Sequence, residues 1–160
     1  MNKQLVLQQI IETLHSDLNI AVRAAQTAYE TATHEENIAE NKYDTLGLEA
    51  SYLAAGQARR VEEIRHSLSL YTGLSLKPFD EARGIQPGDL ITLQSASGVE
   101  QHLFLGPDAA GLKIRVDGAW ITVITGLAPL GQNLLGKFDG DDVEIIVNGS
   151  RQSFEIQRVL

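Results

Sequence analysis

The sequence contains no cysteine, a single methionine and a single tryptophan, and aromatic residues make up only 6% of its 160 residues. Without cysteine there are no disulfides and no thiolate metal ligands, which fits a reducing compartment. No apolar run approaches the roughly 20 residues that span a bilayer, and Met1-Asn2-Lys3-Gln4 is not followed by a signal-type apolar segment. The expectation is a soluble cytoplasmic protein with no membrane association. Positive charge is also scarce: 13 Lys and Arg stand against 21 Asp and Glu, for a formal net charge of -8. Phosphate binding is driven by Lys, Arg and counterion release, so free nucleic acid is a poor direct partner and a basic protein surface a better one. Glycine is scarce before Lys77-Pro78 and frequent after it, where β-branched residues and turn dipeptides replace alanine, leucine, glutamate and glutamine. That change predicts two units, 1–76 and 77–160.

What the first unit does have is an apolar stripe. Leu7, Ile11, Leu14, Leu18, Ala21, Ala25, Ala28 and Ala32 recur in alternating steps of four and three, the coiled-coil period. The stripe stops at the acidic segment His34-Glu35-Glu36-Asn37-Ile38-Ala39-Glu40-Asn41. A second stripe follows with Tyr43, Leu46, Ala50 and Leu53, then, after a slip near Gln57, Val61, Ile64, Leu68 and Tyr71. Two such helices joined by a short polar link predict an antiparallel coiled-coil hairpin with its acidic tip near 34–44. A helix from about Lys3 to Thr33 makes an arm roughly 45 Å long. Its outer half offers only alanines, which let the partner backbone approach closely, with Tyr43, Leu46 and Leu53 expected to fill the remaining space. Gly47 and Gly56 work against the second helix, each costing about 1 kcal/mol relative to alanine.

At the tip, Glu35, Glu36, Glu40 and Asp44 face a single Lys42. Clustered carboxylates at the end of a narrow projection suit a shared hard cation such as Mg²⁺, which takes oxygen ligands and often only one or two carboxylates from a protein. Such a cation orients or deprotonates a water. The plainer reading is a solvated polar turn whose acids favour the dipole of the second helix. An alanine-tapered arm behind the turn favours the first reading, because a solvated cap does not require one.

From Gly84 onward the sequence reads as short strands and turns. Leu90–Leu93 ends at Ser97-Gly98, and Glu100–Leu105 ends at Gly106-Pro107-Asp108. Leu112–Val116 and Ala119–Ile124 flank Asp117-Gly118, a dipeptide suited to a tight hairpin. Pro129 to Lys137 reads as one short helix with Pro in its first turn. Val143–Val147 and Ser153–Leu160 flank Asn148-Gly149-Ser150. The expected second unit is a small antiparallel sheet carrying one helix, so the chain as a whole is α+β.

Several of these pieces carry a resemblance. Gly88-Asp89-Leu90-Ile91-Thr92-Leu93, Leu105-Gly106-Pro107-Asp108, Pro129-Leu130-Gly131 with Leu134-Leu135-Gly136-Lys137, Gly140-Asp141-Asp142-Val143 and Phe154-Glu155-Ile156 resemble, in order and spacing, the FKBP-like C-terminal domain of Gre-family transcription elongation factors. Ile38-Ala39-Glu40-Asn41 with Tyr43-Asp44 is similar to that family's coil tip. The resemblance implies a helical hairpin that enters the secondary channel of bacterial RNA polymerase while the globular domain docks at the rim. It implies no cofactor of its own, Mg²⁺ shared with the polymerase active site, and nucleic acid met only within the transcription complex; the expected state is a monomer. Glu40 takes the place of the family's tip Glu, and Asn37 falls where its Asp belongs. An amide coordinates through oxygen but brings no negative charge, and Glu36 lies one residue, or roughly 100° of helix, away. The leading expectation is therefore a factor that occupies the channel and modulates elongation, pausing or initiation without cleaving RNA, in the manner of DksA-type regulators. Candidate tip residues are Glu40, Asn37, Glu36 and Asp44. By the same resemblance Ala128, Pro129 and Leu130 face the polymerase, with Ala128 where the family commonly has Ser, while Leu134 and Leu135 suit the core.

Other features carry less. His15, His34, His66 and His102 have no metal-site spacing. Trp120 suggests strand packing rather than an isomerase pocket, Asn148-Gly149-Ser150 is a turn rather than a glycosylation signal, and Arg59 and Arg60 suit a solvated face. With no nucleophile–base pair and no phosphate-binding glycine loop, the chain reads as an accessory factor rather than an enzyme. The competing class is a coiled-coil adaptor or chaperone-like module whose seam pairs with another helix; a prolyl isomerase ranks below both.

Overall fold

The computed structural model describes residues 1–34 and 45–160, apart from the side chain of Leu46. Two helices come first, α1 (Lys3–Thr33) and α2 (Leu46–Thr72). Asn2 caps α1: its side-chain oxygen accepts from the Gln4 N–H at 2.7 Å, and its carbonyl accepts from Val6 at 3.1 Å. Thr45 starts α2, accepting the Glu49 N–H at 2.8 Å, and Glu49 adds a favourable charge in the first turn.

The seam of α1 follows the expected stripe, with Leu7, Leu14, Ala21 and Ala28 buried and Ile11, Leu18, Ala25 and Ala32 half-buried. On α2 the seam is Ala50, Ala54, Gln57, Val61, Ile64, Leu68 and Tyr71, an unbroken alternation of four and three. Two expectations are corrected here. There is no slip at Gln57, and Leu53 lies off the seam, 57% exposed. Leucine is the stronger hydrophobe, yet Ala54 keeps the period and lets the helices close tightly, so geometry decides over hydrophobicity. Tyr43 falls outside the described residues.

By contacts the chain divides into two compact units, Glu12–Ser69 and the combination of Met1–Ile11 with Leu70–Leu160. Within the first, Val22, Ala25 and Tyr29 share a groove with Ala54, Ala58 and Val61, while Ala28 and Thr31 share another with Ala50 and Leu53. Advance along α1 is matched by return along α2, so the helices run antiparallel.

The second unit differs in extent from the composition change near residue 76 because the first turns of α1 and the end of α2 belong to it. Lys3 donates to the Asp89 carboxylate at 2.8 Å and to the Lys77 carbonyl at 2.6 Å, and the second Asp89 oxygen accepts the Gln86 N–H at 2.8 Å. Both side chains are nearly removed from water, at 12% and 7% exposure. The buried Tyr71 donates its hydroxyl proton to the Asp108 carbonyl at 2.7 Å. A Cβ on Gly106 would overlap that hydroxyl, so glycine is required where the phenol packs.

Six strands follow: β1 (Leu90–Ser95), β2 (Glu100–Gly106), β3 (Lys113–Val116), β4 (Ala119–Thr125), β5 (Asp142–Val147) and β6 (Ser150–Val159), with the short helix α3 (Pro129–Leu134) between β4 and β5. They form one sheet in the order β3-β4-β2-β1-β6-β5. The expected all-antiparallel pairing is corrected at one place, since β2 and β4 are parallel, with His102 opposite Ile121 and Leu105 opposite Ile124. After β2 the chain crosses the width of one strand before β3. The β3–β4 hairpin then folds back into the gap, which makes β4 run with β2. Both tight hairpins have the expected chemistry: Asp117 and Gly118 take φ of 52° and 80°, and Asn148 and Gly149 take 50° and 78°.

The helix α3 ends earlier than expected. Leu135 leaves helical geometry at ψ 128°, and Gly136 follows at φ 78°, its N–H bonding the Ile85 carbonyl at 2.9 Å. Leu134 points into a core of Ile85, Ile91, Leu93, Leu105 and Ile156. At the outer edge Asn133 donates its amide to the Glu144 carbonyl of β5 at 2.9 Å.

Candidate functional site: the hairpin and the loop before α3

The seam fixes the two helices between which the candidate acidic segment 35–44 lies in the sequence. The 31 residues of α1 rise about 46 Å. Near its C-terminal end Thr31 and Thr33 turn their hydroxyls back onto the carbonyls of Thr27 and Tyr29, at 3.0 and 2.9 Å. Thr45 begins the return, its hydroxyl 3.2 Å from the Glu49 carboxylate. The tip candidates Glu36, Asn37, Glu40 and Asp44 lie outside the described residues. Among the described residues no group of three or more His, Asp or Glu is placed to hold a metal ion.

The second candidate surface is the turn leading into α3. Ala128 is the N-cap in extended geometry, and its side chain makes no cap hydrogen bond. Pro129 is exposed in the first turn, and Leu130 is half-buried against the core. Gly131 permits the turn to close, because a Cβ there would overlap the Thr125 carbonyl. Of the two leucines assigned to the core, Leu134 is fully buried but Leu135 is 39% exposed, the helix having ended between them. The most exposed large apolar residue here is one the sequence reading passed over: Leu127, 88% exposed, directly before Ala128. The backbone bond from Ala128 N to the Thr125 carbonyl, 3.2 Å, turns Leu127 outward, and nothing in local composition signals that bond.

Trp120 is not packed as expected. It is 60% exposed on β4, with the Arg115 guanidinium 5.7 Å from its ring centre. Arg59 and Arg60 are exposed, as a solvated face requires, and Arg60 lies 3.9 Å from Glu63. The His102 ring nitrogen Nδ1 is 3.0 Å from the Thr92 hydroxyl on the neighbouring strand. Burial pushes the Tyr71 phenol far above its ordinary range, the nearby Asp108 charge adds to the shift, and the hydrogen bond to the Asp108 carbonyl opposes it. Among the described residues no helix is long and apolar enough to cross a membrane.

No family model matches the chain, and no curated protein matches its sequence. Similar folds do occur among solved structures. The neighbours are Gre-type transcription factors. The GreA factor homolog 1 (Gfh1) protein of Thermus thermophilus aligns over 94% of either chain at 19% identity and a TM-score of 0.39. Gfh1 of Thermus aquaticus aligns over 92% of either chain at 20% identity and a TM-score of 0.40. The transcription elongation factor GreA/GreB of Nitrosomonas europaea aligns over 64% of this chain and 90% of its own at 21% identity and a TM-score of 0.39.

Proposed function

We propose that this chain is a Gre-like transcription factor that binds bacterial RNA polymerase through the secondary channel and modulates elongation, pausing or initiation in the cytoplasm. The observation that carries the reading is the continuous seam. It joins α1 and α2 into one antiparallel hairpin and so brings together the two helix ends that flank the acidic residues 35–44. The Gre-like residues of the tip and of the sheet domain support the same reading from sequence. In this scheme the hairpin is the inserted element, Leu127, Pro129 and Leu130 meet the polymerase rim, and any Mg²⁺ at the tip is shared with the polymerase active site. A coiled-coil adaptor that offers its own seam to another helix needs that seam open, whereas Leu14, Ala21, Ala28, Val61 and Ile64 are buried.

The test is competition. Purified protein should displace a labelled Gre factor from core polymerase, and no displacement at saturating concentration rejects the proposal. Asn37 in place of an acid leads us to expect no stimulated cleavage. Release of short 3′ RNA fragments from a backtracked complex by the wild-type protein, but not by Glu40→Ala, would overturn that part alone.

A further inference from the structure

Of the six asparagines in the chain only Asn148 is followed by glycine; the other five precede Lys, Ile or Leu. The main-chain nitrogen after an asparagine is a nucleophile aimed at the side-chain carbonyl, and a side chain on the following residue obstructs its approach. Gly149 has none, and no other part of the protein comes within 4 Å of a Cβ built there. The turn hydrogen bond joins Ser150 to Val147, which pair across the hairpin, so it leaves the Gly149 nitrogen untied. The hairpin around this turn also stands outside the core. Val143 and Phe154 are its last pair packed there, and of the four pairs beyond them only Ile145 is other than exposed. The ion pair from Arg151 to Glu144, at 3.6 Å, is exposed and adds little. A two-stranded ribbon of this length is marginal in water, so its end opens while the sheet stays folded. Opening releases Asn148 from φ 50° and Gly149 from φ 78° and brings the nitrogen within reach of the carbonyl. Asn133 is placed in the opposite way, its amide held on the Glu144 carbonyl at 2.9 Å and its successor, Leu134, fully buried.

We propose that Asn148 is a site of spontaneous deamidation in the folded protein. The Gly149 nitrogen, on losing its proton to solvent base, attacks the Asn148 side-chain carbonyl carbon. The bond from that carbon to the amide nitrogen breaks, and ammonia leaves with a proton taken from water. The cyclic imide opens when water adds to either of its carbonyls, giving aspartate or, with the main chain rerouted through the side-chain carbon, isoaspartate. Water is the only co-reactant, and nothing is oxidised or reduced. Each event exchanges a neutral amide for a carboxylate, which takes the formal net charge from -8 to -9. The isoaspartyl form adds a backbone carbon to a two-residue turn, which then no longer holds Val147 opposite Ser150. Asp117-Gly118 has the same positive-φ turn but is already an acid, so it contributes no change of charge.

The experiment ages the full chain in mildly alkaline buffer, separates the charge forms by anion exchange, and locates the modified residue by peptide mass spectrometry. Isoaspartate is scored by its enzymatic methylation. A more acidic form should accumulate with the amide lost at Asn148 and kept at Asn133 and Asn19. Its rate in the folded chain should lie within about tenfold of the rate in the urea-unfolded chain, as an opening free energy at the low end of local unfolding requires. Asn148→Gly, which accepts positive φ and has no amide to lose, should accumulate none of it. A folded chain slower than that limit shows that the closed turn protects its asparagine and overturns the proposal. Conversion mapped to another asparagine, or an acidic form that builds up equally in Asn148→Gly, overturns it as well. Neither result bears on the polymerase reading.

Discussion

Replacing Lys3 with methionine removes one charge from a pair the fold has almost withdrawn from water. Methionine keeps most of the aliphatic stem, so the change isolates the ammonium group. The Asp89 carboxylate then retains only the Gln86 N–H, 2.8 Å from its second oxygen, and the first oxygen loses its partner at 2.8 Å. Breaking a buried ion pair from one side costs about 3–5 kcal/mol because the remaining charge is left without compensation. The 12% exposure of the lysine admits some water and places Lys3→Met near the lower end, at about 3 kcal/mol, or on the order of a 150-fold change in the folding equilibrium. Urea unfolding followed by the fluorescence of Trp120, which belongs to the same unit, measures it directly. Adding Asp89→Asn to Lys3→Met removes the stranded charge and should recover at least about 2 kcal/mol as coupling energy. A single-variant loss under about 1 kcal/mol, or strict additivity in the double variant, would show that the pair is solvated rather than buried.

Gly56→Ala should stabilise the hairpin by about 1 kcal/mol, because nothing lies within 4 Å of a Cβ placed there and alanine costs less helix entropy; an unchanged or lower melting temperature by circular dichroism counts against an open helical position. The raised Tyr71 phenol carries a definite sign. The unfolded chain ionises it near the ordinary value of 10.0 while the fold keeps it protonated, so stability that is complete below that pH falls above it, at about 1.4 kcal/mol per pH unit. Tyr71→Phe should abolish that alkaline slope in urea midpoints while losing about 1 kcal/mol at neutral pH with the bond to the Asp108 carbonyl, and an unaltered slope refutes the assignment. Leu134→Ala should cost about 3 kcal/mol and Leu135→Ala under about 1 kcal/mol, and equal losses on chemical denaturation would contradict the helix end drawn between them.

Local chemistry was the legible part of the sequence. Asp117-Gly118 and Asn148-Gly149 state their turns outright because the required positive φ is a property of those residues, and the α1 seam is read from spacing alone. The α2 seam was misread at one turn because Leu53 outranks Ala54 in hydrophobicity, while the interface selects for small size. Partner choice among strands is not local, so the parallel run of β4 beside β2 had no signature in either strand. The Lys3–Asp89 pair joins residues 86 apart in sequence, and the Tyr71–Asp108 bond joins residues 37 apart. A lone lysine in a first helical turn and one aromatic at a helix end announce neither. In the loop before α3, the exposure of Leu127 had no signature in the sequence, because its outward turn depends on a single backbone bond.

The Asn133 amide has a consequence for how this protein behaves in a crowded solution. A six-stranded open sheet has two raw borders. Here one is β3, only four residues long and carrying Lys113 and Arg115, while the other is β5, whose Ile146 and Val147 are exposed. Left bare, that second border is a template on which a neighbour's strand can add, and the growth need not stop. By occupying the Glu144 carbonyl, α3 interrupts the row of outward acceptors in its middle, so an incoming strand finds no continuous ladder to extend. A side chain that contributes little to the core thereby blunts that border against strand addition.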